Sequence, residues 1–381
     1  MVLKTLTLTN FRNYSKANFD FDSQTALVVG PNASGKTNLL EAVYFLATGK
    51  SFRATYDREV IAQGQPFANV KCQMSNVKNE EKELELQILA SRGGEKTSSK
   101  RFKVNGVKKR LLDFAGNLRA VYFGPEDIGL VTGPPSRRRK YLDTILTQID
   151  REYARALVEY ERVLRQRNRL LVLIREGEGE RSQLDFWDKR LWELGNILTE
   201  RRAGFIDFLN RKLHSWLYLF TYWSMRPRGS VCDLERIRER EILAGMTLWG
   251  PHRDDFRFLK SDRARPIRCP LRGDPYPADC SDGAAPVPAA ELGSDLAVYG
   301  SRGEQRLAVL RLKLAELEFI SEKVGERPVL LLDDIFSELD EDNRQQVLSL
   351  LGQQQTIVTA TDLNRIDGEK LGECMVLRLP V

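Results

Sequence analysis

A chain of 381 residues with 42% hydrophobic and 29% charged side chains has material for two or three domains and the balance of an ordinary water-soluble protein. A formal charge of +6 suits a polyanionic partner only weakly; no apolar run reaches membrane-spanning length and no signal-peptide pattern opens the chain, so a cytoplasmic protein is expected. Five scattered cysteines (Cys72, Cys232, Cys269, Cys280, Cys374) without a C-x-x-C pair, and two histidines (His214, His252), count against a disulfide framework or a Cys/His zinc site.

In chain order, Leu3 to Leu8 alternates like a strand and leads to Asn10-Phe11-Arg12-Asn13-Tyr14. The apolar run Ala26 to Val29 then meets Gly30-Pro31-Asn32-Ala33-Ser34-Gly35-Lys36-Thr37, with a helix predicted from Asn38 to Ala47. Gly, four spacers and Gly-Lys-Thr between a strand and a helix is the phosphate-loop pattern. Its glycines let backbone N–H groups turn toward an anion at the positive end of the helix. Lys36 is then expected to reach the β- and γ-phosphates of ATP, and the Thr37 hydroxyl to ligate Mg2+.

Strands are predicted over Val70–Met74, Glu83–Ala90 and Lys100–Val104, with Asn105-Gly106 turning a hairpin into Val107–Arg110. Leu118 to Phe123 is a further apolar strand, and the β-rich part ends near Pro125. From Ser136 to about Arg211 apolar residues recur at helical spacing (Tyr141, Ile145, Ile149; Leu157, Leu164, Leu171), broken at Gly177–Glu180 into a two-helix hairpin. Arg162, Arg165, Arg167 and Arg169 alternate with glutamates and read as a solvated face. The stretch 261–296, rich in Pro, Ala, Gly and Asp, reads as a flexible insertion.

Ser301-Arg302-Gly303-Glu304-Gln305 opens a long amphipathic helix carrying Leu307, Leu310, Leu314 and Leu317. Ser followed three residues later by Glu is by itself a capping box. Shortly after it, Pro328 to Leu332 forms a buried strand ending in Asp333-Asp334, and both phosphate-handling fragments must share one parallel sheet. Acidic residues after a buried strand also serve as helix caps. Beside a phosphate loop they suit different chemistry, with Asp333 directed toward the metal and Asp334 toward the attacking water.

These motifs resemble those of the RecF family, SMC-like ABC ATPases, over nearly the whole chain. The resemblance rests on Asn10–Tyr14, Phe123-Gly124-Pro125-Glu126-Asp127, Leu130–Pro135 running to Arg137-Arg138-Arg139-Lys140-Tyr141-Leu142-Asp143, Gly250-Pro251-His252-Arg253-Asp254-Asp255, Tyr299–Arg306 and Ser337-Glu338-Leu339-Asp340. It implies an α/β fold: an ABC-type lobe with a mixed or parallel sheet and an antiparallel β part (1–128 and 318–381), plus an inserted, mainly helical lobe (129–317). It further implies that Arg12, Asn13 and Asn38 lie near ATP, and that Glu126 takes the place of a metal-sensing glutamine, completing a catalytic set with Asp334 and Lys36. Ser301 to Gln305 become the signature motif that grips ATP on a second copy. Ser337, Glu338, Leu339 and Asp340 cross that dimer interface, and Thr361 stands where a switch histidine is usual. With Asp334 in place of the usual glutamate, slow turnover is expected.

The function implied is an ATP-dependent homodimer acting at gapped or single-strand/double-strand junction DNA, with RecR and RecO as partners and RecA loading as the indirect outcome. Arg137, Arg138, Arg139 and Lys140 are candidates for phosphate contacts or simply a solvated charge run, and no base-reading motif is present. A transporter ATPase subunit and an SMC rod are the rivals; the latter would need long sustained heptads that are missing here. A small-molecule kinase would leave the signature element without a role.

Overall fold

The computed structural model describes residues 1–77, 79–90, 98–212, 218–223, 231–260, 294–337, 341–361 and 374–380. The chain divides into two compact units: Met1–Asp127 with Thr147–Ile149 and Glu316–Val381, and Ile128–Leu146 with Asp150–Ala315.

In the first unit, β1 (Val2–Phe11) buries Leu3, Leu6 and Leu8. The step from 3 to 6 has the wrong parity for a plain strand. A bulge between Leu3 and Thr5, in the pairing with β4 (Phe67–Ser75), restores it. With β2 (Tyr14–Asp20), β5 (Glu81–Ala90), β6 (Ser98–Val104) and β7 (Val107–Lys109) these strands form an antiparallel sheet ordered β2-β1-β4-β5-β6-β7. The hairpin expected at Asn105-Gly106 is there, both residues having positive φ (50° and 75°), as a twisted two-residue turn requires.

A second sheet, β14-β3-β13-β12-β8, is parallel throughout: β3 (Thr25–Val29), β8 (Ala120–Phe123), β12 (Val329–Asp333), β13 (Thr356–Ala360) and β14 (Met375–Arg378). Every residue of β8, β12 and β13 is buried, as strands covered on both faces must be. The helix α1 (Lys36–Thr48) carries Leu39, Leu40, Val43, Phe45 and Leu46 into one core with Leu6 and Leu8 of β1, Val28 of β3, Leu331 of β12 and Ile357 of β13. Phe45→Ala would cost about 3–5 kcal/mol through the cavity left there. The phosphate-loop pattern after β3 and the Asp333-Asp334 pair at the end of β12 thus lie on one parallel sheet with β13 between them.

The second unit is mainly helical, with an antiparallel sheet of β9 (Tyr218–Trp223), β10 (Asp255–Lys260) and β11 (Ser294–Asp295). The predicted hairpin is present as helices Arg151–Arg175 and Leu184–Lys212, broken at Gly177, φ 82°. A separate helix, Pro135–Ile149, precedes it, so three helices stand where two were expected. Asp150 makes the difference: its backbone is extended and its carboxylate accepts the Tyr153 N–H at 3.0 Å, ending one helix and capping the next.

Arg167 belongs to no solvated face: it is fully buried and donates to Asp188 (2.7 Å), Glu241 (2.6 Å) and the Thr247 hydroxyl (2.8 Å). Arg202, 2% exposed, makes a second internal node with Asp143 (2.7 Å), Asp254 (3.2 Å) and the Pro251 carbonyl (2.6 Å). Removing either guanidinium would strand buried carboxylates, a loss of about 3–5 kcal/mol.

Candidate functional site

The loop between β3 and α1 is shaped for an anion. Gly35 sits at φ 104°, and a Cβ there would lie 2.7 Å from the Asn13 amide and 2.8 Å from the Tyr14 hydroxyl, so both conformation and space demand glycine. The Tyr14 hydroxyl donates to the Gly35 carbonyl (3.1 Å), the Asn13 amide to the Ser34 carbonyl (3.3 Å), and the Asn38 amide to Asn13 Oδ1 (2.8 Å). The turn after β1 therefore braces the loop from behind, while Pro31, Asn32 and Ala33 are exposed at its tip.

Lys36 Nζ donates to the loop's own carbonyls, Gly30 (2.6 Å) and Pro31 (2.8 Å). Burial lowers its pKa, and the carboxylates of Asp334 and Asp333 oppose that shift. Ser34 Oγ is buried with no hydrogen-bond partner, an orphaned polar atom inside the loop. A phosphate would supply what these groups lack.

The acidic side comes from β12. Asp333, 5% exposed, accepts at Oδ1 from the hydroxyls of Thr37 (3.0 Å) and Thr359 (2.7 Å), and at Oδ2 from Tyr122 (3.1 Å). The same Tyr122 hydroxyl is 3.0 Å from Glu126 Oε2. Burial and the neighbouring acids Asp333 and Glu126 raise the phenol's pKa, so it stays protonated. Asp334 is held at φ 49° with its N–H donating to Thr359 Oγ1 (3.0 Å). Thr37 and Asp333 could hold magnesium together. Among the described residues no set of three or more His, Cys, Asp or Glu is placed to bind a metal alone, so phosphate oxygens and water would complete its shell.

Arg12 is fixed rather than free. Its guanidinium donates twice to Glu41 (2.6 and 2.8 Å) and once to the Glu59 carbonyl (2.8 Å). Glu41 is fully buried on α1 and also accepts from Ser51. What Arg12 can offer a nucleotide is mainly the face of its planar group.

Tyr122, Thr359 and Glu41 escaped the sequence reading. Tyr122 and Glu41 sit within apolar stretches and look like core positions. Thr359 carried a signal, a polar residue one position before the end of a buried strand, and the parallel register pairs it with Asp333.

In the second unit Ser301 caps the helix Arg302–Val324 with a full capping box: its N–H donates to Glu304 (2.8 Å) and its Oγ accepts from the Glu304 N–H (3.3 Å). Hydrogen bonds from Lys260 and Ser301 lower the Glu304 pKa to about 2. Gln305 is buried and anchored on the Leu296 carbonyl (2.9 Å), while Ser301, Arg302 and Gly303 are exposed. Thr361 follows β13 and is half-buried. Ser337 ends the short turn Ile335–Ser337, and Glu338, Leu339 and Asp340 lie outside the described residues, as does most of the 261–296 insertion.

The four basic residues 137–140 differ in exposure. Arg138 is buried and paired with Asp255 (2.7 and 3.0 Å) and the Gly133 carbonyl (2.7 Å), so it cannot serve DNA. Arg139 is half-buried on the Asp254 carbonyl (3.0 Å), whereas Arg137 and Lys140 are exposed. His252 is structural: its ring bridges the Tyr160 hydroxyl (2.7 Å) and the Thr247 carbonyl (3.3 Å), and burial pushes its pKa down to about 4.

A parallel sheet carrying a phosphate loop and an adjoining acidic strand, with an antiparallel sheet and a helical unit attached, is an ABC-type ATPase head. The model of the RecF/RecN/SMC N-terminal domain matches residues 2–369. The DNA replication and repair protein RecF of Herpetosiphon aurantiacus is 37% identical over 393 residues, 96% of this chain and 94% of that protein. Its namesake from Halalkalibacterium halodurans is 34% identical over 398 residues, 99% and 97% of the two chains. A solved structure of the recombination mediator protein RecF with ATP, in the RecFOR pathway, is 31% identical, covers 96% of this chain and 93% of its own, and superposes with a TM-score of 0.79. The chain belongs to the RecF family of DNA replication and repair proteins.

Proposed function

We propose that this protein is a slow ATPase whose dimerisation on ATP creates a DNA-binding clamp at gapped or single-strand/double-strand junction DNA. There it works with RecR and RecO to promote RecA loading in the cytoplasm. In this reading Lys36 leaves the loop carbonyls for the β- and γ-phosphates, while Ser34 and the loop N–H groups take up the remaining oxygens. Asp334 orients and deprotonates the attacking water, and Glu126 faces the phosphate from the opposite side. Thr37 and Asp333 hold magnesium, which neutralises phosphate charge when bound. Arg12, Asn13 and Asn38 border the nucleotide, and Thr361 and the 337–340 loop answer to its state.

The single observation that carries the dimer reading is Gly303. Among the described residues a Cβ there would touch nothing but Ser301 Oγ, at 4.0 Å, so their packing gives no reason for glycine at this exposed helix start. Open N–H groups and a serine hydroxyl at a helix N-terminus suit a phosphate delivered by a second copy. The test is size measurement of the full chain at micromolar concentration, with ATP and magnesium, with ADP, and with gapped duplex. ATP is expected to give a dimer that DNA stabilises; a persistent monomer that nonetheless binds ATP would overturn the reading.

A further inference from the structure

One phenolic hydroxyl stands between two carboxylates in the first unit. Tyr122 Oη lies 3.1 Å from Asp333 Oδ2 and 3.0 Å from Glu126 Oε2. A hydroxyl carries one proton, so it can donate to only one of these acids at a time. The other is then left facing an oxygen lone pair, an arrangement relieved when a cation neutralises one carboxylate.

The position is built rather than incidental. The Tyr122 ring stacks on Phe52, centroids 3.8 Å apart at 18°, and meets Tyr44 edge-on at 6.1 Å. Residue 124 is glycine, and a Cβ there would lie 2.1 Å from the Tyr122 hydroxyl oxygen. Packing alone would be served by phenylalanine, which brings no hydroxyl to be accommodated between two acids.

Resting on the ATPase reading above, we propose that Tyr122 is a positioning residue that couples the metal-side carboxylate of Asp333 to Glu126. With Asp333 neutralised by a divalent cation, the hydroxyl donates to Glu126 and holds its side chain toward the phosphate site. Without the cation it donates to Asp333 and leaves Glu126 held, among the described residues, only by its ion pair with Arg53, 3.9 Å away. Occupancy of the metal site is thereby communicated to Glu126 through a single hydrogen bond.

The test measures binding of a fluorescent ATP analogue to the full chain, in EDTA and across a magnesium titration, for wild type, Tyr122→Phe, Glu126→Gln and the double variant. Tyr122→Phe is expected to keep metal-free nucleotide affinity within about twofold, which also reports that the fold is intact. The magnesium concentration for half-maximal enhancement should rise several-fold: a hydrogen bond to a carboxylate is lost in both states, and what remains is the lone-pair opposition that the cation relieves in the wild type. Glu126→Gln should shift that midpoint in wild type and leave it unmoved in Tyr122→Phe, because the coupling is already gone. An unchanged midpoint, additive effects in the double variant, or parallel loss of metal-free binding would overturn the proposal. Absence of nucleotide binding by the wild type would instead remove the ATPase reading on which it rests.

Discussion

Thr359→Val exchanges a hydroxyl for a methyl group at a position that is 1% exposed, and it should separate chemistry from binding. The hydroxyl does two things at once: it donates to Asp333 Oδ1 at 2.7 Å and accepts the Asp334 N–H at 3.0 Å. Asp334 needs that second bond because its φ of 49° lies in the left-handed region, which costs a non-glycine residue about 1–2 kcal/mol. Valine keeps the shape and strand preference of threonine but neither bond. Losing a donor to a carboxylate costs about 1.5–3 kcal/mol and orphaning the partly buried N–H about 1 kcal/mol more. The fold should therefore weaken by roughly 2.5–4 kcal/mol, read from urea unfolding. If Asp334 acts on the attacking water, a shift of its carboxylate by about 1 Å should slow phosphate release on the order of 100-fold. Nucleotide affinity, if it rests on the loop and Lys36, should change by no more than about threefold. Thr359→Ser should restore turnover. Unchanged turnover alongside reduced stability would refute the positioning argument, as would equal losses of affinity and rate.

Three further outcomes follow from the same geometry. Lys36→Met should weaken ATP binding and dimerisation together, whereas Asp334→Asn should retain ATP and trap the closed dimer; equal loss of affinity in both, measured by nucleotide titration, would remove Asp334 from its role. Ser301→Arg should leave ATP binding to the monomer near normal and abolish dimerisation and hydrolysis; sizing of that variant with ATP and magnesium decides it. His252 sets an acid limit: with its folded pKa pushed from 6.5 to about 4, the unfolded chain takes up the proton first. The stabilisation is whole above about pH 6.5 and is lost as pH falls toward 4, at most roughly 3 kcal/mol at 1.36 kcal/mol per pH unit. Unfolding free energies of wild type and His252→Gln that run parallel between neutral pH and about pH 5 would contradict this.

The parts of the site that sequence exposes are those whose chemistry needs a fixed local spacing. Gly30 to Thr37 must lie on consecutive residues because one turn of backbone wraps one phosphate, and Asp333-Asp334 must follow an apolar strand to emerge beside it. Residues recruited by tertiary register leave no such trace. Thr359 meets Asp333 only because β13 lies parallel beside β12, and Tyr122 reaches the same carboxylate only because β8 flanks it on the other side. The bulge that sets Leu3 and Leu6 on one face is equally invisible along the chain, since it exists in the pairing with β4.

Basic residues require a finer reading, because burial rather than number decides what they can touch. Arg167 shares a helical stripe with the buried Tyr160, Val163 and Leu171, and Arg202 shares one with Leu198, Phe205 and Leu209. Arg138 stands four residues before the buried Leu142. At a spacing of three or four residues each guanidinium is carried inward with its apolar neighbours and must find carboxylates there. Arg137 and Lys140 are exposed even though Arg137 too stands four residues before a buried side chain, Tyr141, so within the run 137–140 exposure and not phase marks these two as candidates for phosphate contacts. Replacing a phosphate-contacting Arg137 with alanine should lower the slope of log affinity against log salt by about one and spare stability. Arg138→Ala should do the reverse, lowering stability by about 3–5 kcal/mol without DNA present, since Asp255 loses its partner. Salt titrations of gapped-duplex binding, set beside urea unfolding of the same two variants, separate the roles. Equal salt slopes for wild type and Arg137→Ala would take Arg137 out of the DNA surface, and equal slopes for the Arg137→Ala/Lys140→Ala double variant would take out the run.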